Sequence, residues 1–262
     1  MHISLKNTKN TRSLSDLVNK EGRHIKSHFL IRSDALNKID AHDEKILKEH
    51  YHLKRVIDLR CDNETKNSPD IRMEGVEICL NPVLPSERVG VSKKGNDEED
   101  FRDFIEAIYK NGAQSSISFM TKVYEELVTS EFSLQAYHHF LMTLLKDASG
   151  ATLWHCSAGK DRAGLATILV LYLLDFDIDV IIEDYMNTNM YYQDSIQQFA
   201  AKCGEDYHDV LCTIFGVRRE YIDVIFTSIQ KKYGNIDTFI EQGLHFSKKD
   251  KNALKELYLE ER

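Results

Sequence analysis

Between residues 27 and 83, apolar positions gather in three short runs, SHFLIR, KRVIDL and GVEICLN, each set off by polar, charged or turn-forming neighbours. That pattern predicts three strands. Between the first two, the segment from Asp40 to Lys48 predicts a helix, with Asp40 as its N-cap and acidic side chains in its first turn. The order strand, crossover helix, strand follows. Pro82 and Pro85 close the third run, and the polar stretch after it, with Gly90, Gly95 and a DEED run, reads as a surface loop. From about residue 99 to 148 the apolar spacing turns helical, as in Phe101, Phe104, Ile105 and Ile108, or Phe140, Leu141, Leu144 and Leu145. A fourth short strand, Ala151 to His155, runs straight into HCSAGKDRAG and the apolar helix RAGLATILVLYLL. Beyond Asp179 the chain reads as helical, including a pair around Tyr233-Gly234 and residues 247–259. Strands alternating with helices, then helices alone, predict an α/β fold in one domain spanning 1–262, with a core at about 27–175 and a helical C-terminal part at about 179–260.

Composition narrows the function. With 42 % hydrophobic residues in 262, the chain has material for a sizeable core. Its 42 acidic and 34 basic side chains leave a net charge of -8, which disfavours nucleic acid or an anionic membrane as a partner. Any anionic substrate must be held by local positive charge. The amino terminus, MHISLKNTKNTR, has no apolar signal-like core, and the run from Ala163 to Leu174 is too short to span a bilayer. The expectation is a cytoplasmic protein without stable membrane insertion. Five widely spaced cysteines, with no CxxC and no Cys/His cluster, suggest neither a disulfide framework nor a metal site, and nothing calls for a cofactor.

A cysteine six positions before an arginine occurs twice, at Cys156/Arg162 and at Cys212/Arg218. The second copy encloses Thr-Ile-Phe-Gly-Val, bulky residues in a helix-like segment, and reads as a buried structural thiol with a surface arginine. The first follows a strand, contains Ala158-Gly159, and has Gly164 where the next helix begins. Gly159 can take positive φ, so that successive N–H groups of Ser157, Ala158 and Gly159 turn inward as an anion nest, and the helix adds the positive end of its dipole. Such a loop suits a tetrahedral dianion and favours the Cys156 thiolate as the attacking group. Arg162, with its planar fork, clamps two phosphoryl oxygens and follows them into the transition state.

His155-Cys156-Ser157-Ala158-Gly159-Lys160-Asp161-Arg162 closely resembles the active-site signature of the bacterial tyrosine/lipid phosphatases of the cysteine-dependent superfamily. The resemblance extends to Arg32-Ser33-Asp34-Ala35-Leu36, to Val56-Ile57-Asp58-Leu59-Arg60, to Gly216-Val217-Arg218-Arg219-Glu220-Tyr221 and to Tyr233-Gly234, leaving residues 84–115 least matched. It implies a protein-tyrosine-phosphatase-like fold: a small, mostly parallel sheet with helices on both faces and the catalytic loop at a strand's C-terminal end. It also implies a phosphoric monoester hydrolase with a phosphocysteine intermediate, acting on a phosphorylated protein or a phosphoinositide.

The leaving group needs a proton, and a water must later be activated. The resemblance implies Asp161 as that acid, since no WPD-type tripeptide occurs; the competing candidate is Asp58 at the end of the second strand, with an ion pair to Arg60 as its structural alternative. Lys160 is a second cation beside Arg162, and in related proteins it goes with highly charged substrates; the alternative is a solvated lysine on the rim. His155 reads as a residue that orders the loop. Residues 186–215, rich in Tyr, Gln, Asn and Met, fall where the family places helices near the site mouth, and read either as a lid or as ordinary helical packing. Two positions depart from the family pattern. Ala163 stands where a hydroxyl usually helps the cysteine leave, and Asn10-Thr11-Arg12-Ser13-Leu14-Ser15-Asp16 only loosely matches the family's NFRDLGG segment. Two further classes stay in view: a phosphate-binding module with weak turnover, for which Ala163 speaks, and a sulfur-transfer or arsenate-reducing protein, for which Cys61 would have to act as a resolving thiol.

Overall fold

Apolar residues on successive positions of the central strands demand cover on both sides, and the chain supplies it. The computed structural model describes residues 1–15, 17–86, 106, 109–110, 113–146 and 148–261. In chain order these form β1 (Arg12–Ser13), β2 (His24–Ile25), β3 (Leu30–Ser33), α1 (Ala41–Lys45), β4 (Leu53–Asp58), α2 (Asp62–Asn67) and β5 (Glu77–Leu80). There follow α3 (Ala113–Thr129), α4 (Glu131–Leu144), β6 (Ala151–His155), α5 (Arg162–Leu173), α6 (Ile178–Met186), α7 (Thr188–Cys203), α8 (His208–Phe215), α9 (Arg219–Tyr233), α10 (Lys248–Tyr258) and β7 (Leu259–Glu260), with helical turns between Ile236 and Gly243.

The sheet order is β1-β3-β6-β4-β5. All pairings are parallel except β1 with β3. Although β3 and β4 follow one another in the chain, β6 lies between them. Its five residues are all buried, as a strand sandwiched on both faces and both edges must be. Neighbouring side chains face opposite ways. Leu153 and Val56 join Ile31, Leu36, Ile39 and Leu47 under the α1 segment, while Trp154 and Ile57 join the core packed by α3, α4 and α5. Ser33 and Asp58 both register with His155, so the chain leaves β3, β4 and β6 at the same edge of the sheet. The loop that begins at Cys156 opens there.

The Asp40 cap forms as expected, its carboxylate accepting from the N–H groups of His42 and Asp43 at 2.9 Å. The helix then loosens into a π-type turn over Ile46–His50. Phe140, Leu141 and Leu144 are buried on α4, in line with their spacing. The stretch around Gly90, Gly95 and DEED and the Phe101–Ile108 pattern lie outside the described residues. The C-terminal part is helical up to its last residues, where β7 pairs antiparallel with β2 and ties the chain end back to its beginning. Among the described residues, no helix is long and apolar enough to cross a membrane.

Candidate active site

The turn from β6 into α5 carries Cys156 to Arg162, and its geometry is set from outside. The carbonyl of Cys156 contacts His155 Nδ1 at 3.2 Å. That of Ser157 accepts from the Ala35 N–H at 3.3 Å. The Ala158 carbonyl takes the Tyr192 hydroxyl at 2.6 Å and the Asn10 amide at 3.2 Å, and the Gly159 carbonyl takes Asn10 at 3.0 Å and Arg32 at 2.7 Å. In a planar trans peptide the N–H points opposite to the preceding carbonyl. Four carbonyls held outward therefore turn the N–H groups of residues 157–160 inward. None of these donates to a protein acceptor among the described residues, so together they form an anion nest. Gly159 makes the turn possible: its φ is +64°, and a Cβ there would sit 2.4 Å from the Ser33 carbonyl oxygen. Gly159→Ala is expected to disrupt the loop, read as loss of vanadate binding by calorimetry.

Arg162 is buried, and its fork meets Glu64 from the first turn of α2: Nη1 donates to Oε2 at 2.5 Å and Nη2 to Oε1 at 2.9 Å. Glu64 also receives the Ser157 hydroxyl and, as a capping-box residue, the Cys61 N–H at 3.1 Å. Burial alone would raise the Glu64 carboxyl, but the Arg162 hydrogen bonds and charge outweigh it and hold the pKa at about 2. Burial likewise works against the charge on Arg162, yet Glu64 and the charge of Cys156 raise its pKa above the usual value. The Cys61 Sγ lies 3.1 Å from Glu64 Oε2 and is a free thiol.

Behind the loop lies a buried network. Arg60 grips both oxygens of Asp58 at 2.7–3.1 Å and reaches Asp70 at 2.8 Å. His155 Nε2 lies 2.8 Å from Asp70 Oδ2. Asp58, Asp70 and His155 stand close enough to hold a cation, but Arg60 already pairs with both carboxylates. Burial alone would lower the His155 pKa, while Asp58 and Asp70 raise it above the ordinary value. The sign follows: the stabilisation is complete below about 6.5, the unperturbed value, and is lost as pH rises through the folded one. His155→Asn is expected to flatten the fall of denaturant stability on that alkaline side, and an NMR titration of the His155 ring reads the folded value directly.

Asp161 sits at the other rim. Its Oδ1 accepts from Lys160 Nζ at 2.8 Å and from the Tyr124 hydroxyl at 2.5 Å. Lys160 is thus 2 % exposed, and its ammonium is directed to Asp161 rather than to solvent. Asp58 is paired with Arg60 through its carboxylate, and Arg32 pairs with Asp184 at 2.7 Å. The amino-terminal segment, loose in sequence, does contribute: Asn10 clamps two loop carbonyls, and Arg12 shares Asp184 with Arg32 at 3.6 Å. Burial and the Arg32 charge lower the Arg12 pKa to about 10. Of the second cysteine–arginine pair, Cys212 lies within α8 and Arg218 caps α9, where it faces Glu220 at 3.4 Å; no cradle forms.

Sequence reasoning missed Glu64, Asp70 and Tyr124, which come from α2, the loop after it and α3; Tyr192 of α7 falls in the stretch read as a lid or as packing, but its bond to the Ala158 carbonyl was not foreseen. The only signal for Glu64 was its place three residues after Cys61, the spacing of a capping box.

The model of the tyrosine phosphatase family matches residues 3–260. Among curated proteins, the chain is 26 % identical over 238 residues to the triple specificity protein phosphatase PtpB of Mycobacterium tuberculosis, covering 80 % of this chain and 84 % of that protein. Among solved structures, the core catalytic domain of the PP-IP phosphatase SIW14 from S. cerevisiae, in complex with citrate, aligns at 15 % identity over 78 % of this chain and 97 % of its own, with a TM-score of 0.30.

Proposed function

The chain belongs to the tyrosine phosphatase family, and on that premise we propose that it hydrolyses phosphate monoesters through a phosphocysteine intermediate on Cys156. The observation that carries this reading is the outward pinning of four consecutive loop carbonyls, which leaves inward N–H groups above the nucleophile with the Arg162 guanidinium beside them. The Cys156 thiolate attacks phosphorus in line with the leaving oxygen. The N–H groups of Ser157, Ala158, Gly159 and Lys160, and the Arg162 donors that Glu64 does not take, receive the equatorial oxygens. Asp161 gives a proton to the departing alkoxide or phenoxide and, as a carboxylate, takes one from the water that opens the thiophosphate. We assign this role to Asp161 over Asp58 because Arg60 occupies both Asp58 oxygens.

Phosphotyrosine in proteins is the proposed substrate class, with phosphoserine, phosphothreonine or phosphoinositides as further ones. Hydrolysis of an aryl phosphate, followed by a panel of phosphopeptides and phosphoinositides, tests it. A wild type that binds phosphate tightly yet turns over none of them would leave only the second reading, a phosphate-binding module. Ala163 favours that reading. It is fully buried and carries no hydroxyl for the second step. Slow breakdown of the phosphoenzyme is expected: a pre-steady-state burst in the wild type, and faster steady-state turnover in Ala163→Thr. No burst and no gain would refute it.

We also read α7 and α8 as a cover for the loop. They enclose a small core of their own, Tyr192, Ile196, Ala200, Val210, Leu211 and Ile214, against which Ala158 packs. Hydrogen exchange over 188–215 is expected to slow on vanadate binding; unchanged exchange would mark the pair as fixed packing.

A further inference from the structure

Three tyrosines from three helices converge on Asp161. Tyr124 (α3) donates its hydroxyl to Asp161 Oδ1 at 2.5 Å, and Tyr185 (α6) stands 2.6 Å from the Tyr124 oxygen. A phenol has one proton, and a carboxylate accepts only. Tyr124 gives its proton to Asp161, so Tyr185 must donate to Tyr124. The relay has one direction. Tyr221 (α9) stacks on the Tyr124 ring with centroids 5.0 Å apart and planes at 18°, which fixes the ring plane. Tyr124, Tyr185 and Tyr221 are each fully buried by fractional exposure. Burial first, and then the Asp161 charge, raises the Tyr124 pKa well above that of a free phenol, so it stays a donor throughout.

Gly164 keeps room for this arrangement. A Cβ there would come within 3.2 Å of the Tyr185 ring, which would have to give by a few tenths of an ångström. The small residue where the helix begins thus lets the Tyr185 ring pack closely against α5. Lys160 approaches the same oxygen as Tyr124, at 2.8 Å. Two donors on Oδ1 fix the carboxyl rotation, and Oδ2, which has no hydrogen-bond partner among the described residues, is left to carry the transferable proton.

We propose that Tyr124, backed by Tyr185, is a positioning residue for proton transfer by Asp161. The inference rests on the reading of Asp161 as the acid. Protonation matters most when the leaving group is a poor one, so misplacing the acid costs rate in proportion to leaving-group basicity. A general packing defect would lower all rates alike.

The test is a leaving-group series, from nitrophenyl to unsubstituted phenyl and alkyl phosphates, run on the full chain as wild type, Tyr124→Phe, Tyr185→Phe, Asp161→Asn and the Tyr124→Phe/Asp161→Asn double variant. Tyr124→Phe is expected to lose on the order of tenfold in kcat/KM, which reports the thiolate attack and not the slow second step, on the poorest leaving groups, the scale of one hydrogen bond to a charged group, with little loss on nitrophenyl phosphate. Tyr185→Phe should show the same selectivity in smaller measure, and it decides the matter if Tyr124→Phe does not fold. In the Asp161→Asn background, Tyr124→Phe should add nothing. A leaving-group-selective loss in Asp161→Asn, with a uniform or additive loss in the tyrosine variants, overturns the inference and leaves the acid reading standing. A loss of kcat/KM in Asp161→Asn that is uniform across the series removes the acid reading, and the inference falls with it.

Discussion

A Cys156→Ser variant is expected to hydrolyse aryl phosphates no faster than buffer while still binding vanadate or inorganic phosphate. A serine hydroxyl is not ionised near neutral pH, so the attacking anion is gone, and the loop holds no substitute: the Ser157 hydroxyl is engaged with Glu64 and Arg162. Binding should survive, because its donors are backbone N–H groups and a guanidinium that the substitution does not touch. Steady-state assays and calorimetric titration with vanadate measure the two halves separately. Hydrolysis retained in the variant would remove the phosphocysteine intermediate from the mechanism, whereas loss of both halves would point to a collapsed loop.

Glu64→Ala is expected to cost both activity and stability. The buried Arg162 would lose its bidentate partner, and an uncompensated buried charge costs about 3–5 kcal/mol. A guanidinium no longer held in the plane set by Glu64 also meets the phosphoryl oxygens badly, and kcat is expected to fall on the order of 10²–10³-fold, the usual loss when one oriented donor is removed. The wild type carries the matching pH signature. With a folded pKa of about 2 against 4.5 unfolded, Glu64 contributes stability that is full above 4.5 and lost as pH falls through 2, a contribution of roughly 3 kcal/mol at neutral pH. Acid unfolding of wild type and Glu64→Gln, followed by circular dichroism, should show the wild type's extra stability shrinking below pH 4.5. A variant with wild-type kcat and unchanged stability would mean that Arg162 needs no partner.

What could be read from the chain was whatever is local. The loop proposed as catalytic is contiguous, and its strand, glycines, cysteine and arginine are neighbours in sequence, so they can be read together before folding. The Asp40 cap and the apolar spacing of α4 are local in the same sense. The strand order is not: nothing near residues 27–59 shows that a strand from 151–155 will insert between β3 and β4. Glu64 lies 98 residues from Arg162 and Tyr124 lies 37 from Asp161. A lone glutamate after a strand and a lone tyrosine in an amphipathic helix look like surface charge and core until the sheet brings them to one edge. Asn10 and Arg12 show the same limit, since a weak match to a family segment said nothing of the two loop carbonyls that Asn10 would hold.

Apart from His155 beside it, the side chains and N–H groups that hold the loop's carbonyls come from Asn10, from β3, from the segment after it and from Tyr192 beyond the core. This gives the protein little tolerance for being cut. Trimming the first twelve residues removes Asn10 and Arg12, and trimming from α7 onward removes Tyr192. A shortened chain can keep Cys156 and Arg162 and lose the shape that makes them useful. Catalytic competence in this protein is therefore a sensitive reporter of whether distant pieces of the chain have come together, and a poor guide to which minimal fragment can be carried into another scaffold.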